Sequence, residues 1–136
     1  MGAAITVVID RSTGEPAYEQ IARQVRAHIA NGGLPAGTPL PGVRTLAADL
    51  GVNLNTVARA YRLLADQGFV SIRDRSGVAV AAPAPSPAPD AHAIFQAELD
   101  TLLARMRQAG VPTDDIHRMV DRQLDRLSNP PKESEN

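Results

Sequence analysis

Apolar residues recur at helical spacing in three stretches of the first half of the chain, with charged and polar residues between them. These stretches are residues 16–30, 43–50 and 54–67. Gly51 and Asn53 separate the last two, because glycine accepts a left-handed backbone and asparagine is a favourable helix N-cap. Ala47, Gly51 and Val57 lie at the offsets where two crossing helices approach closely. Residues 46–69 therefore predict a helix-turn-helix rather than a plain helical hairpin.

Shorter β-branched runs flank these helices. Phe69–Arg73 and Val78–Ala81 predict two strands of a hairpin around a turn that contains Gly77. Three helices followed by a hairpin make a winged helix-turn-helix. At the other end, Ile5–Asp10 predicts a strand or an extended arm.

A change of composition divides the chain. Residues 82–90 alternate proline and alanine, which favours polyproline II and predicts a semi-rigid linker. Two further amphipathic helices are predicted within residues 91–127, and the polar residues 128–136 are predicted to be disordered. The predicted fold is mainly α with a small β-hairpin: a winged helix-turn-helix over residues 1–81, followed by a two-helix C-terminal dimerisation tail.

Each tail helix carries an apolar stripe. The stripes consist of Phe95, Leu99, Leu102 and Met106, then Ile116, Val120, Leu124 and Leu127. Two helices bury too little surface to be stable alone, so we expect both stripes to pair with the same helices of a second chain. The alternative is that they fold back onto their own winged helix.

Composition narrows the function classes. The net charge is −1, but residues 1–81 hold eight arginines against six acids, and residues 82–136 hold six basic residues against nine acids. This asymmetry favours nucleic-acid binding by the first half. There is no cysteine and no apolar stretch long enough to span a membrane, so a cytoplasmic protein is expected. No serine has a general base placed beside it by the sequence pattern, so an enzyme is not expected. No cofactor is expected either.

The third helix carries the predicted DNA-reading side chains. With positions 57, 60, 61 and 64 in the core, its other face presents polar residues, and asparagine and arginine read adenine and guanine edges. Thr56 and Tyr61 are expected to hydrogen-bond phosphates. Arg44 lies where the first helix of such a motif crosses the backbone. The predicted DNA contacts are Arg44, Asn55, Thr56, Arg59, Tyr61 and Arg62, with Arg73, Arg75 and Gly77 in the wing.

The run from Pro16 to Val80 resembles the DNA-binding domain of the GntR superfamily of bacterial transcription regulators. The motifs that carry the resemblance are PAYEQIARQVRAHIANG (16–32), LPAGTPLPGVRTLAADLGVN (34–53), NTVARAYRLLADQGFV (55–70) and RSGVAV (75–80). The resemblance implies a dimer on a pseudo-palindromic double-stranded DNA operator. It places the family's contacts on Arg44, Asn55, Thr56, Arg59, Arg75 and Gly77.

The chain departs from the family pattern at three positions. Gly42 stands where a serine is usual, Leu54 where many members have arginine, and Val78 where threonine is common. The segment after Ala81, about 55 residues, is too short for the large effector domains of most relatives. Two helices on a linker resemble the short-tailed YtrA-like subfamily, which implies repression of the protein's own operon, often beside transporter genes.

Other interpretations stay open. The tail could hold a small-molecule pocket, which would make the protein a ligand-responsive regulator. The chain could also be a truncated form of a regulator with a cofactor domain. His117 and Asp121 lie one helical turn apart, with His92 and Asp100 elsewhere in the tail, but an exposed polar helix face is the preferred interpretation and no metal site is predicted.

Overall fold

A computed structural model of the chain describes residues 6–73 and 77–128. These residues divide into two compact units, which we name the winged unit (residues 6–83) and the tail unit (residues 84–128). The winged unit contains α1 (Ala17–Ala30), α2 (Val43–Leu50), α3 (Leu54–Asp66), β1 (Val70–Arg73) and β2 (Gly77–Val80). This element order confirms the predicted winged helix-turn-helix.

The turn between α2 and α3 follows from two residues. Gly51 ends α2 with φ +67°, a left-handed conformation that favours glycine, and the Val52 N–H donates back to the Ala47 carbonyl at 3.1 Å. The Asn53 side chain then accepts the Asn55 N–H at 2.8 Å, which caps α3. Both predicted turn roles are confirmed, and together they fix the direction in which α3 leaves the turn.

The core of the winged unit lies between α1, α2, α3 and the hairpin. Its largest fully buried side chains are Tyr61, Ile21, Leu64, Val25 and Val57. Two of these come from α1 and three from α3, so α3 is held by the most buried contacts of the unit. Burial of a side chain of this size stabilises the fold by about 1.5–3 kcal/mol.

The hairpin gains a third, strand-like segment from the loop before α2. β1 and β2 are antiparallel, with Ile72 opposite Val78. On the other edge of β2, the Leu40 N–H donates to the Val78 carbonyl at 2.8 Å, and the Val80 N–H donates to the Thr38 carbonyl at 2.9 Å. The proline-rich sequence of residues 34–41 gives no signal for strand pairing. Pro39 fits because it bridges to β2 at a position where no N–H is required.

The described part of the N-terminal arm, residues 6–10, is extended but is not a strand. Side-chain amides of α1 replace a partner strand along it. Gln24 accepts the Val8 N–H at 3.0 Å and donates to the Val8 carbonyl at 2.8 Å. Gln20, which is buried, makes the same pair of bonds to Asp10 at 2.8 and 2.9 Å. These bonds satisfy backbone groups that would otherwise need a ladder.

The tail unit contains α4 (Ala91–Gln108) and α5 (Thr113–Ser128). Gly110 lies between them with φ +88°. Among the described residues of both helices, none is buried. The tail unit therefore has secondary structure without an interior of its own.

Candidate nucleic-acid interface

The outward face of α3 presents three polar side chains. Asn55, Arg59 and Arg62 are exposed, and the opposite face is buried in the core. Thr56 lies at the edge of this face and is half-buried. Because a helix of this kind fits the major groove and these groups match adenine and guanine edges, the arrangement is suited to reading base pairs.

Arg59 is oriented by an aromatic ring from another helix. Its guanidinium carbon lies 3.8 Å from the centre of the Tyr18 ring of α1. The Tyr18 hydroxyl in turn donates to Glu19 at 3.1 Å. A guanidinium stacked on a ring keeps its N–H groups directed outward in the plane and loses less freedom on binding. Helical spacing within residues 16–30 gave no signal for this contact, because it joins two different helices.

Tyr61 was predicted as a phosphate contact, and this prediction is wrong. The side chain is 1% exposed, and its hydroxyl donates to the Pro41 carbonyl at 2.6 Å. Burial raises the pKa of Tyr61 to about 12. Helical spacing with Val57 and Leu64 already places the Tyr61 ring in the core, and the hydroxyl at the end of that ring is carried inward with it.

The Tyr61 hydroxyl has a structural role beside the interface. Pro41 immediately precedes Gly42, the N-cap of α2, which offers no side-chain cap. The bond from Tyr61 therefore anchors the backbone at the point where α2 begins. Arg44, in the first turn of α2, is exposed, so this anchor sets where its guanidinium is presented.

Two of the three residues predicted in the wing, Arg73 and Gly77, lie within the described structure. Arg73 ends β1 and is exposed, and it pairs in register with Gly77, the first residue of β2. Gly77 has φ +86°, which a side chain would strain. Arg75 lies outside the described residues. Arg73 and Gly77 thus lie together at the end of the hairpin.

Two further arginines hold the scaffold and were not predicted. Arg11 donates to the Gly51 carbonyl at 3.0 Å and so ties the N-terminal arm to the helix-turn-helix turn. Arg26 lies 5.6 Å from the centre of the Phe69 ring and donates to the Gln67 side chain at 2.7 Å. Both partners lie far away along the chain, so spacing alone gave no signal for either contact.

The predicted dimerisation residues form an accessible apolar face on each tail helix. Six of them, Phe95, Leu99, Leu102, Val120, Leu124 and Leu127, are 45–64% exposed, and Met106 and Ile116 are half-buried. A groove of about 520 Å³ at the end of α4 is lined partly by the stripe residues Leu102 and Met106. Among the described residues, no cluster of three or more His, Asp or Glu side chains could hold a metal ion.

The fold and the cationic face of α3 define a winged helix-turn-helix protein, and comparisons give its relatives. The model of the gntR family of bacterial regulatory proteins matches residues 17–80. The HTH-type transcriptional regulator Rv1152 of Mycobacterium tuberculosis is 46% identical over 72 residues, 53% of this chain and 60% of that protein. The chain thus spans less than two thirds of the mycobacterial protein.

Two YtrA proteins are similar over a longer part of the chain. The HTH-type transcriptional repressor YtrA of Bacillus subtilis is 28% identical over 84% of this chain and 88% of its own length. The solved structure of YtrA from Sulfolobus acidocaldarius, a GntR-family transcription factor, is 34% identical with a TM-score of 0.58. That match covers 74% of this chain and 99% of the archaeal one.

The chain belongs to the GntR family of bacterial regulatory proteins. Both YtrA matches are longer than the winged unit, which confirms the predicted resemblance to the YtrA-like branch. Among the described residues, no helix is both long and apolar enough to cross a membrane.

Proposed function

We propose that the protein is a dimeric repressor of its own operon, acting in the cytoplasm on a pseudo-palindromic operator. The observation that carries this proposal is the outward face of α3, where Asn55, Arg59 and Arg62 are exposed on a helix held rigidly by the core. Arg44 and the wing residues Arg73, Arg75 and Gly77 would neutralise or approach phosphates and hold α3 in register. Bound protein would then block access to the promoter.

The tail supports the dimeric part of the proposal. Two helices without a buried residue are marginal in water, because a helix in a protein is stabilised mainly by packing of its apolar face. The stripe of α4 recurs at Phe95, Leu99, Leu102 and Met106, a heptad-like spacing typical of helices that pair side by side. A second copy of the chain offers a matching stripe, and its two-fold symmetry matches an inverted repeat in DNA.

The repressor part rests on the relatives and on the mechanism. The Bacillus subtilis YtrA protein is named a transcriptional repressor, and its similarity to this chain, over 115 residues, is longer than the winged unit. Occupancy of a promoter requires only binding, so it needs no further domain for contact with the transcription machinery. A reporter gene under the protein's own promoter, assayed with and without the protein, tests this part directly; increased expression with the protein would contradict it.

The DNA-reading role is tested by exchanging one arginine for alanine. If Arg59 is bidentate to guanine, Arg59→Ala weakens operator binding by about 1–3 kcal/mol and relaxes base choice at one position. The matched control is Arg23→Ala, which removes the same charge from α1. Arg23 pairs with Glu15 at 2.8 Å and is exposed, so its loss should leave affinity nearly unchanged. Equal operator affinity of the wild type and Arg59→Ala would contradict the role.

A further inference from the structure

Leu54 is an exposed apolar side chain at the start of the recognition helix. It is the first residue of α3, and 41% of its surface is exposed. The interior is filled without it by the four buried residues of α3, which are Val57, Ala60, Tyr61 and Leu64. A leucine is therefore not required here by the core, and water contacts an apolar group that the fold leaves uncovered.

The position of Leu54 on the helix places it at the border of the DNA-reading face. Successive residues of a helix are about 100° apart, so Leu54 lies one step around the axis from Asn55 and one turn before Ala58. Asn55 is exposed beside it. In helix-turn-helix proteins the N-terminal residues of the recognition helix contact base edges in the major groove. Leu54 is at that end.

The chemistry of a leucine selects one partner on those edges. Adenine, guanine and cytosine present hydrogen-bonding groups in the major groove, and a leucine can satisfy none of them. Thymine presents, in addition to its O4 acceptor, an apolar C5 methyl group. We propose that Leu54 is a specificity-determining residue that contacts the C5 methyl group of one thymine in each half-site. This inference rests on the proposed DNA-reading role of α3.

The test removes the methyl group from the DNA instead of the side chain from the protein. An operator obtained by selection from random DNA is prepared as duplexes in which single thymines are replaced by deoxyuridine, which pairs identically and lacks only the methyl. For the wild type, replacing thymine by deoxyuridine at one position in each half-site should weaken binding by about three- to tenfold. This is the loss expected when one methyl group is no longer buried. All other replacements should have little effect.

The same duplexes are then titrated with Leu54→Ala. This variant should bind the thymine operator more weakly than the wild type and should no longer distinguish thymine from deoxyuridine at that position. The matched control, Arg59→Ala, should keep the distinction although it binds more weakly. Thermal melting of Leu54→Ala should be close to that of the wild type, because the side chain is outside the core.

The outcomes separate this inference from the proposed function. A wild type that binds the thymine operator tightly but is insensitive to every deoxyuridine replacement overturns the inference alone. The same holds if Leu54→Ala retains the full sensitivity. A wild type that selects no sequence from random DNA overturns the inference together with the proposed function.

Discussion

The winged unit and the tail unit use apolar residues in opposite ways. Every residue of the described hydrophobic core lies between Val7 and Val80, and among the described residues of α4 and α5 none is buried. Both units are helical, and both show apolar stripes in sequence. The winged unit covers its stripes within one chain, whereas the tail exposes them. An amphipathic pattern therefore identifies an apolar face, but the number of neighbouring elements decides whether that face is buried.

Removing the tail should have the largest effect on function. Deletion of residues 91–136 should leave the winged unit folded, because its core is complete, but should convert a dimer into a monomer. Loss of the second half-site contact should weaken binding to a two-half-site operator by about 100-fold or more. Light scattering and DNA titration measure the two changes. A truncated protein that remains dimeric would contradict the proposed role of the tail.

A single substitution in the intact chain provides the control for that deletion. Leu99→Asp places a charge on the apolar stripe of α4. Ala97→Asp places the same charge two residues earlier, about 200° around the helix axis and therefore off the stripe. Only Leu99→Asp should yield monomers and weak operator binding. Equal effects of both variants would show that the apolar stripe is not the dimer interface.

Two leucine-to-alanine variants, one in each unit, should differ in how they lower the stability of the protein. Leu64 is fully buried in the winged unit, so Leu64→Ala should lower the free energy of unfolding by about 2–5 kcal/mol at every protein concentration. Leu124 is 54% exposed within the chain. Leu124→Ala should instead act through dimer dissociation, so its melting temperature should vary with concentration. Calorimetry over a range of concentrations distinguishes them, and a concentration-independent loss for Leu124→Ala would count against the interface.

The smallest predicted effect concerns a hydroxyl inside the winged unit. Tyr61→Phe removes the bond to the Pro41 carbonyl and should lower stability by about 0.5–1.5 kcal/mol while operator affinity changes little. The pKa of Tyr61 is raised from 10 to about 12 in the folded protein, so its neutral form is favoured by folding. Its contribution is therefore complete below pH 10 and is lost as the pH rises towards 12.

Alkaline unfolding checks the sign of this titration. The wild type should lose stability between pH 10 and 12 more steeply than Tyr61→Phe, which lacks the titrating group. Identical pH profiles for the two proteins would contradict the buried position of the hydroxyl. A large loss of operator affinity in Tyr61→Phe at neutral pH would instead restore the phosphate contact that the structure excludes.

Local signals in the sequence predicted most of the fold. Gly51 and Asn53 act on their immediate neighbours, so the turn and the start of α3 could be derived from spacing alone. The extended arm and the third segment of the hairpin were harder, because their bonds join residues far apart in sequence. Gln20 and Gln24 gave no signal for binding backbone groups 10 and 16 positions earlier. Pro39 argued against strand pairing until its place opposite β2 was known.

The residue types on the exposed face of α3 were predictable from the sequence, but the orientation of their side chains was less so. Helical spacing correctly separated Asn55, Arg59 and Arg62 from the buried face of α3. It could not show that Arg59 stacks on Tyr18, since that contact joins two helices. It also left Tyr61 with two roles, one in the core and one on DNA. The hydrogen bond from the Tyr61 hydroxyl to the Pro41 carbonyl assigns Tyr61 to the core. Spacing could not predict that bond, because Pro41 is 20 residues away along the chain.

In the proposed mechanism, α3 reads DNA and the tail holds two copies of α3 together. Selection of bound duplexes from a random DNA pool by the full-length protein tests both parts at once. We expect enrichment of an inverted repeat. The centres of its half-sites should be separated by one helical turn of DNA, about 10 base pairs, or by a multiple of that distance. A single unrepeated half-site would contradict pairing through the tail, and the absence of any enriched sequence would contradict base reading by α3.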